Sequence, residues 1–351
     1  MRRPKLLLAN HFDLTTVCGT TVMFAEVLRL APRCAPDVQF AYLSYERHAS
    51  AGALRRHLDE AHRDAACMVA VNAHIEVRWD LSEALFRWCR EREVPAYLYA
   101  HDYWPQHKPA MQTLIAKFGA RVIASTAFVA EQIEREGFPA GVVEVGVPLP
   151  DTVPPAPAPA SPKIIACAGR LVPRKRLADV VRGFAASGLD GTARLYVRAL
   201  PSNVFSPDAD TAQLAEMREE IGRHRLNGVV IDRKPGAPPD YLSYAAYVCS
   251  SSYEGFSMTV IEAAFHGCPP LMSDIPPHQR TARALFGDAA EAFLYPAGDW
   301  QALGRLLRDE VPSSRRRTLI SSRLDDIRSA IRTRFGLGQT AGALARLALS
   351  A

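Results

Sequence analysis

Short apolar runs alternate with segments of helical periodicity through the first 150 residues of the chain. These runs are Lys5 to Ala9, Val38 to Leu43, Cys67 to Val71, Ala96 to Ala100, Val122 to Ser125 and Val142 to Val145. A second series begins at Lys163 and continues with Leu195 to Val197, Val229 to Asp232, Ala246 to Ser250 and Pro270 to Ser273. Strand-like runs separated by helical patterns are typical of parallel βαβ units. The pattern therefore predicts an α/β fold class with two doubly wound, Rossmann-like parallel sheets.

A proline- and alanine-rich stretch separates the two series. It runs from Asp151 to Pro162 and contains five prolines, which fit neither a helix nor a central strand. We therefore predict an N-terminal domain over residues 1–150, an extended linker over 151–162 and a C-terminal domain over 163–334. The last residues, 335–351, are rich in alanine and leucine at helical spacing and are expected to form a C-terminal helix. A chain of 351 residues suits two domains, since single domains have roughly 100 to 200 residues.

Composition narrows the class of protein less than the pattern does. A hydrophobic content of 48% is that of an ordinary globular protein. No apolar stretch approaches the roughly 18 residues of a membrane-spanning helix, and Met1 to Lys5 leads directly into a strand without the hydrophobic region of a signal peptide. The seven cysteines contain no Cys-x-x-Cys pair, which argues against a disulfide framework or a zinc site. We therefore expect a cytoplasmic protein.

The positive charge is concentrated near the C-terminus. Residues 1–150 are balanced, whereas Ser313 to Arg334 contains seven arginines and two aspartates, which accounts for a net charge of +5. A solvated basic helix is the first explanation, and peripheral contact with an anionic membrane is the second. Nucleic-acid binding ranks third, because neither interleaved aromatic residues nor a known motif accompanies the arginines. Flotation with anionic liposomes tests the membrane alternative.

Two glutamates flank a predicted turn and helix in the second half of the chain. Tyr244 to Val248 is typical of a buried strand, Glu254 and Gly255 of a turn, and Met258 to Phe265 of a short helix closed by Gly267. A helix N-terminus carries unpaired N–H groups and roughly half a positive charge, and so attracts phosphate. Carboxylates beside it suit hydroxyl groups. A ligand with phosphate and many hydroxyls together is a nucleotide sugar.

Two glutamates at this spacing also occur by chance as solvated surface charges. The surrounding sequence favours a functional site, because Glu254 follows three serines and precedes Gly255 and Phe256, and Glu262 precedes two alanines. With this context the chain resembles the retaining glycosyltransferases of family four, which have the GT-B fold and a Glu-x7-Glu motif, here Glu254 to Glu262. The resemblance implies two such domains facing a central cleft, an N-terminal domain for the acceptor and a C-terminal domain for the nucleotide sugar.

Two further segments carry the resemblance, which is dense from Lys163 to about Leu307. Ile164 to Lys175 is similar to the family's strand with its Gly-Arg and following lysine, and Ala282 to Pro296 is similar to its Gly-Asp-Ala-Ala and Tyr-Pro run. The resemblance implies that Glu254 contacts the donor sugar and that Glu262 holds the ribose. It further implies that Arg170 and Lys175 bind the donor diphosphate.

The remaining candidate residues follow from position and resemblance together. His101 ends a strand-like run and opens a polar loop, where a catalytic histidine of the family contacts the donor sugar; a hydrogen-bonded loop histidine is the structural alternative. The predicted catalytic set is His101, Glu254, Arg170 and Lys175. Donor binding is assigned to Gly19, Thr20, Arg170, Lys175, Glu254, Gly255, Phe256, Ser257, Met258, Thr259 and Glu262.

Several positions depart from the family pattern. The first loop, His11 to Thr20, precedes a predicted helix from about Thr21 to Leu30. It keeps only Gly19 of the two glycines that are usual in the family, with Thr20 in the second place. The stretches Arg198 to Pro201 and Asp232 to Gly236 replace family glycine motifs near the nucleobase, so the base cannot be carried over. Asp208 and Asp210 form an Asp-x-Asp, which is better explained as helix capping than as a metal site.

These observations predict a retaining glycosyltransferase that moves a sugar from a nucleoside diphosphate sugar to a hydroxyl acceptor. Neither a metal nor another cofactor is required if the two cations and the helix N-terminus neutralise the leaving diphosphate. Assembly of surface polysaccharide or glycolipid is the family-level expectation, with a sugar, glycolipid or other hydroxyl compound as acceptor. The alternatives are a sugar-nucleotide epimerase or hydrolase of similar fold and a noncatalytic GT-B-like partner protein.

Overall fold

The chain forms two compact units, each built around its own sheet. The computed structural model describes residues 3–15, 19–73, 78–103, 108–150, 152–153, 163–201, 207–234 and 240–351. The first unit comprises Met1–Leu149 together with Thr333–Ala351, and the second comprises Pro150–Arg332. Most of the predicted linker, residues 151 and 154–162, lies outside the described residues.

The first unit contains a six-stranded parallel sheet in the order β2-β1-β3-β4-β5-β6. Its strands are β1 (Lys5–Asn10), β2 (Gln39–Ser44), β3 (Met68–Asn72), β4 (Ala96–Ala100), β5 (Arg121–Ala124) and β6 (Ala140–Val142). Its helices are α1 (Gly19–Cys34), α2 (Ala51–Arg63), α3 (Trp79–Glu91), α4 (Lys108–Phe118), α5 (Ala127–Arg135) and α13 (Leu337–Leu349). Strands β1, β3 and β4 are buried along their whole length because helices cover both faces of the sheet.

The C-terminal helix α13 packs within the first unit against α1. Its start is tied to the end of the unit's sheet by a bridge between Val147 and Gly336 and by a 2.8 Å hydrogen bond from Thr340 Oγ1 to a main-chain carbonyl. Gly146 permits this approach, because a Cβ atom there would lie 2.7 Å from the Cα of Leu337. The last residues of the chain thus complete the core of the first unit.

The second unit contains a six-stranded parallel sheet in the order β12-β11-β10-β7-β8-β9. Its strands are β7 (Lys163–Arg170), β8 (Ala193–Leu200), β9 (Val229–Asp232), β10 (Tyr244–Cys249), β11 (Pro270–Asp274) and β12 (Leu294–Pro296). Its helices are α6 (Leu177–Ser187), α7 (Pro207–His224), α8 (Met258–Phe265), α9 (Pro276–Phe286), α10 (Trp300–Ser313), α11 (Arg315–Ser321) and α12 (Leu324–Phe335), the last of which ends in the first unit. Starting from β7, the chain builds one half of the sheet and then returns to β10 to build the other, so β7 and β10 border the topological switch point.

A pair of glycines lets α6 and α10 pack closely on one face of the second sheet. A Cβ atom at Gly304 would lie 2.8 Å from the Cβ of Ala186 and 3.0 Å from the carbonyl oxygen of Gly183. A Cβ atom at Gly183 would lie 2.7 Å from a methyl group of Leu303. Side chains larger than hydrogen at either position would therefore force the two helices apart.

The observed elements agree with the predicted pattern in all but a few places. The helix Met258–Phe265 has the predicted bounds, and Gly267 follows it with φ of 76°, the left-handed conformation that ends helices. The three-residue strand β12 was not predicted. Strand β6 spans Ala140–Val142, whereas the sequence predicted a strand over Val142 to Val145. Helix α1 begins at Gly19 and ends at Cys34, whereas the sequence predicted a shorter helix from about residue 21 to 30.

None of the helices in the described residues is long and apolar enough to cross a membrane.

Candidate functional site

The carboxyl ends of β7 and β10 lie side by side and carry the two loops that form the candidate site. Strand β7 pairs in parallel with β10, and residues 171–176 and 250–257 follow the two strands. In doubly wound sheets, ligands bind outside the carboxyl ends of the strands where the strand order reverses. The topology of the second unit therefore places both loops where a nucleotide would be expected.

Serines attach the second loop to the first. The hydroxyl of Ser250 donates to the carbonyl oxygens of Lys175 and Arg176, at 2.8 and 3.0 Å. The main-chain N–H of Ser252 donates to the carbonyl oxygen of Arg174 at 2.8 Å. Arg176 has φ of 49°, a left-handed conformation that is uncommon for a residue with a side chain. These hydrogen bonds hold the turn Pro173–Lys175 against the loop that contains Glu254.

Glu254 lies at the centre of a cluster of charged side chains. Its carboxylate is 5% exposed and forms ion pairs with Lys175 through Oε1 and with Arg174 through Oε2, the latter at 3.3 Å. The hydroxyl of Ser251 also donates to Oε1 at 2.6 Å. The two cationic side chains are 20% and 17% exposed, so this cluster has one negative and two positive charges close to the surface of the second unit.

The cluster keeps Glu254 ionised. Burial alone would raise the pKa of a carboxyl group, but the charges of Lys175 and Arg174 outweigh it and lower the pKa of Glu254 from 4.5 to about 2. An ionised carboxylate has about four lone-pair positions, and Lys175, Arg174 and Ser251 occupy three of them. At neutral pH Glu254 can therefore accept a hydrogen bond from a ligand hydroxyl, but it cannot donate a proton.

Helix α8 begins four residues after Glu254, and its first turn is uncapped. Ser257 occupies the N-cap position but makes no side-chain hydrogen bond to the helix. In the part of the chain that the structure describes, the N–H groups of Met258, Thr259 and Val260 make no hydrogen bond. Three N–H donors and the positive end of the helix dipole therefore remain available to an anion. The buried Gly255 and the half-buried Phe256 connect Glu254 to this turn.

Glu262 faces a different set of side chains, one helical turn further along α8. The hydroxyl of Tyr241 donates to Oε2 of Glu262 at 2.7 Å. Burial raises the pKa of Glu262, although the Tyr241 hydrogen bond opposes this, and burial also raises the pKa of Tyr241 well above its usual value. Tyr241 therefore stays protonated and donates. Oε1 of Glu262 has no hydrogen-bond partner among the described residues and can accept one from a ligand.

Arg170 is the last residue of β7, half-buried and paired in register with Leu200 of β8. It thus ends the strand from which the loop with Lys175 departs. The sequence predicted Arg170, Lys175, Glu254 and Glu262 as site residues. Arg170 ends β7 and Lys175 lies in the turn after it, whereas Glu254 lies in the loop after β10 and Glu262 lies in α8. Lys175 and Glu254 form an ion pair. The roles in donor binding and catalysis predicted for the four residues stay predictions.

Three predicted residues, Gly19, Thr20 and His101, belong to the first unit. Gly19 and Thr20 form the first turn of α1 instead of an extended loop, with Gly19 exposed and Thr20 buried. His101 directly follows β4 and is half-buried, with its ring centroid 4.4 Å from that of Tyr99. Its carbonyl oxygen accepts a 3.0 Å hydrogen bond from the hydroxyl of Ser125. The donor roles assigned to these three residues stay predictions.

Four residues of the site were not found from the sequence. Arg174 is the second cation on Glu254, Ser251 donates to the same carboxylate, Tyr241 orients Glu262, and His278 contacts Ser257. Tyr241 and His278 are more than ten residues from their partners, and their sequence neighbours give no sign of the contact. Two of the four had a signal in the sequence: Arg174 is adjacent to the predicted Lys175, and Ser251 lies in the run of three serines before Glu254.

The arginine-rich segment, Ser313 to Arg334, is partly used for internal contacts. Arg316 binds the buried carboxylate of Glu310 at 3.3 Å. Arg328 is 7% exposed, donates to the carbonyl oxygen of Phe265 at 2.9 Å and lies over the ring of that residue. These arginines hold α11 and α12 against α10 and α8 of the same unit, so a part of the local charge is unavailable to an external partner.

The described residues include no group of three or more His, Cys, Asp or Glu side chains placed to hold a metal ion. Asp208 and Asp210 lie in the first turn of α7, where acidic residues interact favourably with the helix dipole. The cysteines of the described segments are unpaired, and Cys89, Cys167 and Cys268 are buried thiols whose pKa is raised by burial.

Solved structures with the same architecture include several glycosyltransferases. HepE from Anabaena, in complex with UDP and glucose, aligns over 99% of this chain and 100% of its own with a TM-score of 0.70 and 14% identity. Sucrose-phosphate synthase from Thermosynechococcus elongatus aligns over 99% of both chains with a TM-score of 0.72 and 15% identity. The lipopolysaccharide outer core galactosyltransferase WaaB, in its apo form, covers 98% of this chain and 99% of its own with a TM-score of 0.62 and 18% identity. At such identities the similarity shows the fold. It confirms the predicted α/β class with two parallel sheets of the GT-B type, each of which has six strands.

The sequence itself matches a family over most of the second unit. Residues 152–318 match the model of Glycosyl transferases group 1. This segment contains the cluster around Glu254, together with Tyr241, Glu262 and His278. No curated protein matches the sequence significantly. Membership of family four and a Glu-x7-Glu motif in the sense of that family stay predictions.

Proposed function

We propose that this protein is a retaining glycosyltransferase that transfers a sugar from a nucleoside diphosphate sugar to a hydroxyl acceptor. The observation that carries the proposal is the arrangement of Lys175, Arg174 and Glu254 beside the uncapped N-terminus of α8. This arrangement lies at the carboxyl ends of the strands that border the switch point of a sheet. The match of residues 152–318 to glycosyl transferases group 1 supports the same reaction class.

The leaving diphosphate is bound by Lys175, Arg170 and the N–H groups of Met258 and Thr259. As the bond to the sugar breaks, negative charge grows on the diphosphate, and fixed cations and dipoles stabilise it without reorganisation. Glu254 holds Lys175 and Arg174 in place before the donor arrives. With these cations and N–H groups at the site, the reaction needs no metal ion.

The two glutamates bind different hydroxyl groups of the donor. Glu254 remains a carboxylate at neutral pH and accepts a hydrogen bond from the transferred sugar through its remaining lone-pair position. It therefore acts as an electrostatic group and not as a general acid. Glu262, oriented by Tyr241, accepts from the ribose through Oε1. His101 contacts the transferred sugar, as the resemblance implies.

The acceptor is a sugar, a glycolipid or another hydroxyl compound of a surface polysaccharide or glycolipid. Retention places the acceptor on the face of the sugar from which the diphosphate leaves, and the leaving phosphate accepts the acceptor's proton. The protein acts in the cytoplasm. Contact of the exposed arginines of residues 313–334 with an anionic membrane ranks second to a solvated basic surface, and flotation with anionic liposomes distinguishes the two.

The proposal is tested by incubating the protein with uridine, guanosine, adenosine and thymidine diphosphate sugars, with and without a panel of sugar and lipid acceptors. UDP-glucose is the first donor to try, because HepE has been solved with UDP-glucose at 14% identity to this chain. We expect release of nucleoside diphosphate that depends on an acceptor and a product that keeps the anomeric configuration of the donor. Turnover without an acceptor would indicate the hydrolase or epimerase, and a protein that binds no nucleotide sugar would indicate the noncatalytic alternative.

A further inference from the structure

The side chain of Ser257 is turned away from the helix that it precedes. Serine is among the preferred N-cap residues, because its hydroxyl oxygen can accept a hydrogen bond from the first turn of the helix. Ser257 makes no such bond to α8. Its Oγ lies instead 2.9 Å from Nε2 of His278, in the first turn of α9, and the serine is only 6% exposed.

His278 is held in a single orientation on the other side of its ring. It is completely buried, and its Nδ1 lies 2.8 Å from the carbonyl oxygen of Ser273, at the end of β11. A carbonyl oxygen only accepts, so Nδ1 carries a proton and Nε2 of the neutral ring accepts from the Ser257 hydroxyl. A doubly protonated ring would donate to the same oxygen, so the Ser257 contact persists in both states. Cys249 Sγ also approaches Nε2, at the longer distance of 3.6 Å.

This contact has a consequence for anion binding at α8. If the Ser257 hydroxyl capped the helix, it would occupy one of the N–H groups of the first turn and a phosphate would have to displace it. Because the Ser257 hydroxyl contacts His278 instead, the N–H groups of Met258, Thr259 and Val260 have no hydrogen bond to any residue that the structure describes.

We propose that His278 is a positioning residue for donor binding, which holds the Ser257 hydroxyl away from α8 and so leaves the first-turn N–H groups to the diphosphate. The inference rests on the proposed function for its ligand, and adds to it a residue that touches neither donor nor acceptor.

Two substitutions separate the contacts of the imidazole. In His278→Asn, the side-chain amide reaches the position of Nδ1 and can donate to Ser273, but it is too short to reach Ser257. In His278→Gln, the amide reaches the position of Nε2 and can keep Ser257. The dissociation constant of UDP is measured by titration calorimetry for both variants, for Ser257→Ala and for the double variant His278→Asn with Ser257→Ala, each checked for a wild-type circular dichroism spectrum.

We expect His278→Asn to weaken UDP binding by about fivefold, because the diphosphate must then displace a serine cap that stabilises the helix. His278→Gln should bind UDP as the wild type does. The double variant should bind as tightly as Ser257→Ala alone, because the competing hydroxyl is gone. A double variant that stays as weak as His278→Asn would overturn the proposal and leave His278 with a purely structural role.

Amide hydrogen exchange of residues 258–260 in the absence of nucleotide tests the inference separately from the proposed function. His278→Asn should slow exchange at one of these amides, and the double variant should restore the wild-type rate. Ser257→Ala, which leaves His278 in place, should exchange at the wild-type rate, because the hydroxyl does not cap the helix. Faster exchange in Ser257→Ala would contradict the proposal even if His278→Asn failed to fold. A protein that binds no nucleotide would refute the donor site, and the exchange rates would still show whether His278 keeps Ser257 away from the helix.

Discussion

Replacing Glu254 with glutamine should destabilise the protein in a pH-dependent way. Glutamine has nearly the shape of the protonated carboxyl group and carries no charge. In the wild type, the buried carboxylate neutralises Lys175 and Arg174, which are mostly buried. In Glu254→Gln, both cations lose their counter-ion, and breaking a buried ion pair by removing one partner is strongly destabilising.

The magnitude follows from the pKa of Glu254, which is lowered from 4.5 to about 2. This difference corresponds to about 3 kcal/mol by which the folded state favours the ionised form. Because the folded-state pKa is depressed, the contribution is complete above the unfolded-state pKa and is lost as the pH falls towards the folded-state value. We therefore expect Glu254→Gln to lower the free energy of unfolding by about 3 kcal/mol at pH 7. The difference from the wild type should shrink between pH 4.5 and about 2.

The assay is urea unfolding of the wild type and the variant, followed by circular dichroism at a series of pH values. Glu262→Gln is the matched control, because burial raises the pKa of Glu262 and so disfavours its ionised form. This control should be as stable as the wild type or more stable at pH 7. A Glu254→Gln variant that lost no stability at pH 7, or lost the same amount at every pH, would refute the ion cluster as the cause of the acidity of Glu254.

Three further predictions concern the donor site and the packing of the second unit. Tyr241→Phe should raise the dissociation constant of the nucleoside diphosphate about tenfold by calorimetry, because Glu262 loses the hydrogen bond that orients it; an unchanged constant would exclude that role. Arg170→Ala should lower turnover more than it weakens donor binding in steady-state kinetics, since developing charge on the diphosphate gains most from this cation; a change in KM alone would argue against it. Gly304→Ala should lower the free energy of unfolding by about 1–3 kcal/mol, because the added methyl group meets α6. The same change at the helical Gly222, which faces open space, should raise the free energy of unfolding by about 0.5–1 kcal/mol. Equal effects of the two changes in urea unfolding would contradict the close packing of α6 and α10.

The fold could be predicted because strands buried on both faces leave a local signature. Runs such as Ala96 to Ala100 are apolar throughout and are separated by helical periodicity, and the structure contains the corresponding strands. The two three-residue strands show how little so short a segment reveals: β12, Leu294 to Pro296, was missed, and β6, Ala140 to Val142, was predicted two residues too late. Helix α1 continues to Cys34 although it includes Pro32, where sequence rules place a helix end.

The site could be predicted only where its residues lie close together in sequence or match a family motif. Glu254 and Lys175 were found by resemblance, and their ion pair joins residues 79 positions apart. The partners of Glu262 and Ser257, Tyr241 and His278, are brought to α8 by strand order and helix packing. The opposite shifts in the pKa of the two glutamates depend on these partners and on burial, so the sequence could not distinguish one carboxylate from the other.

The most direct test of the account is calorimetric titration of the wild type and Lys175→Ala with a nucleoside diphosphate, the corresponding monophosphate and the nucleoside. UDP, GDP, ADP and TDP are titrated first to find the base. We expect that one diphosphate binds, that its monophosphate binds at least tenfold more weakly, and that Lys175→Ala removes most of this difference. Equal affinity for diphosphate, monophosphate and nucleoside, or no binding of any diphosphate, would contradict a diphosphate site at the carboxyl ends of β7 and β10.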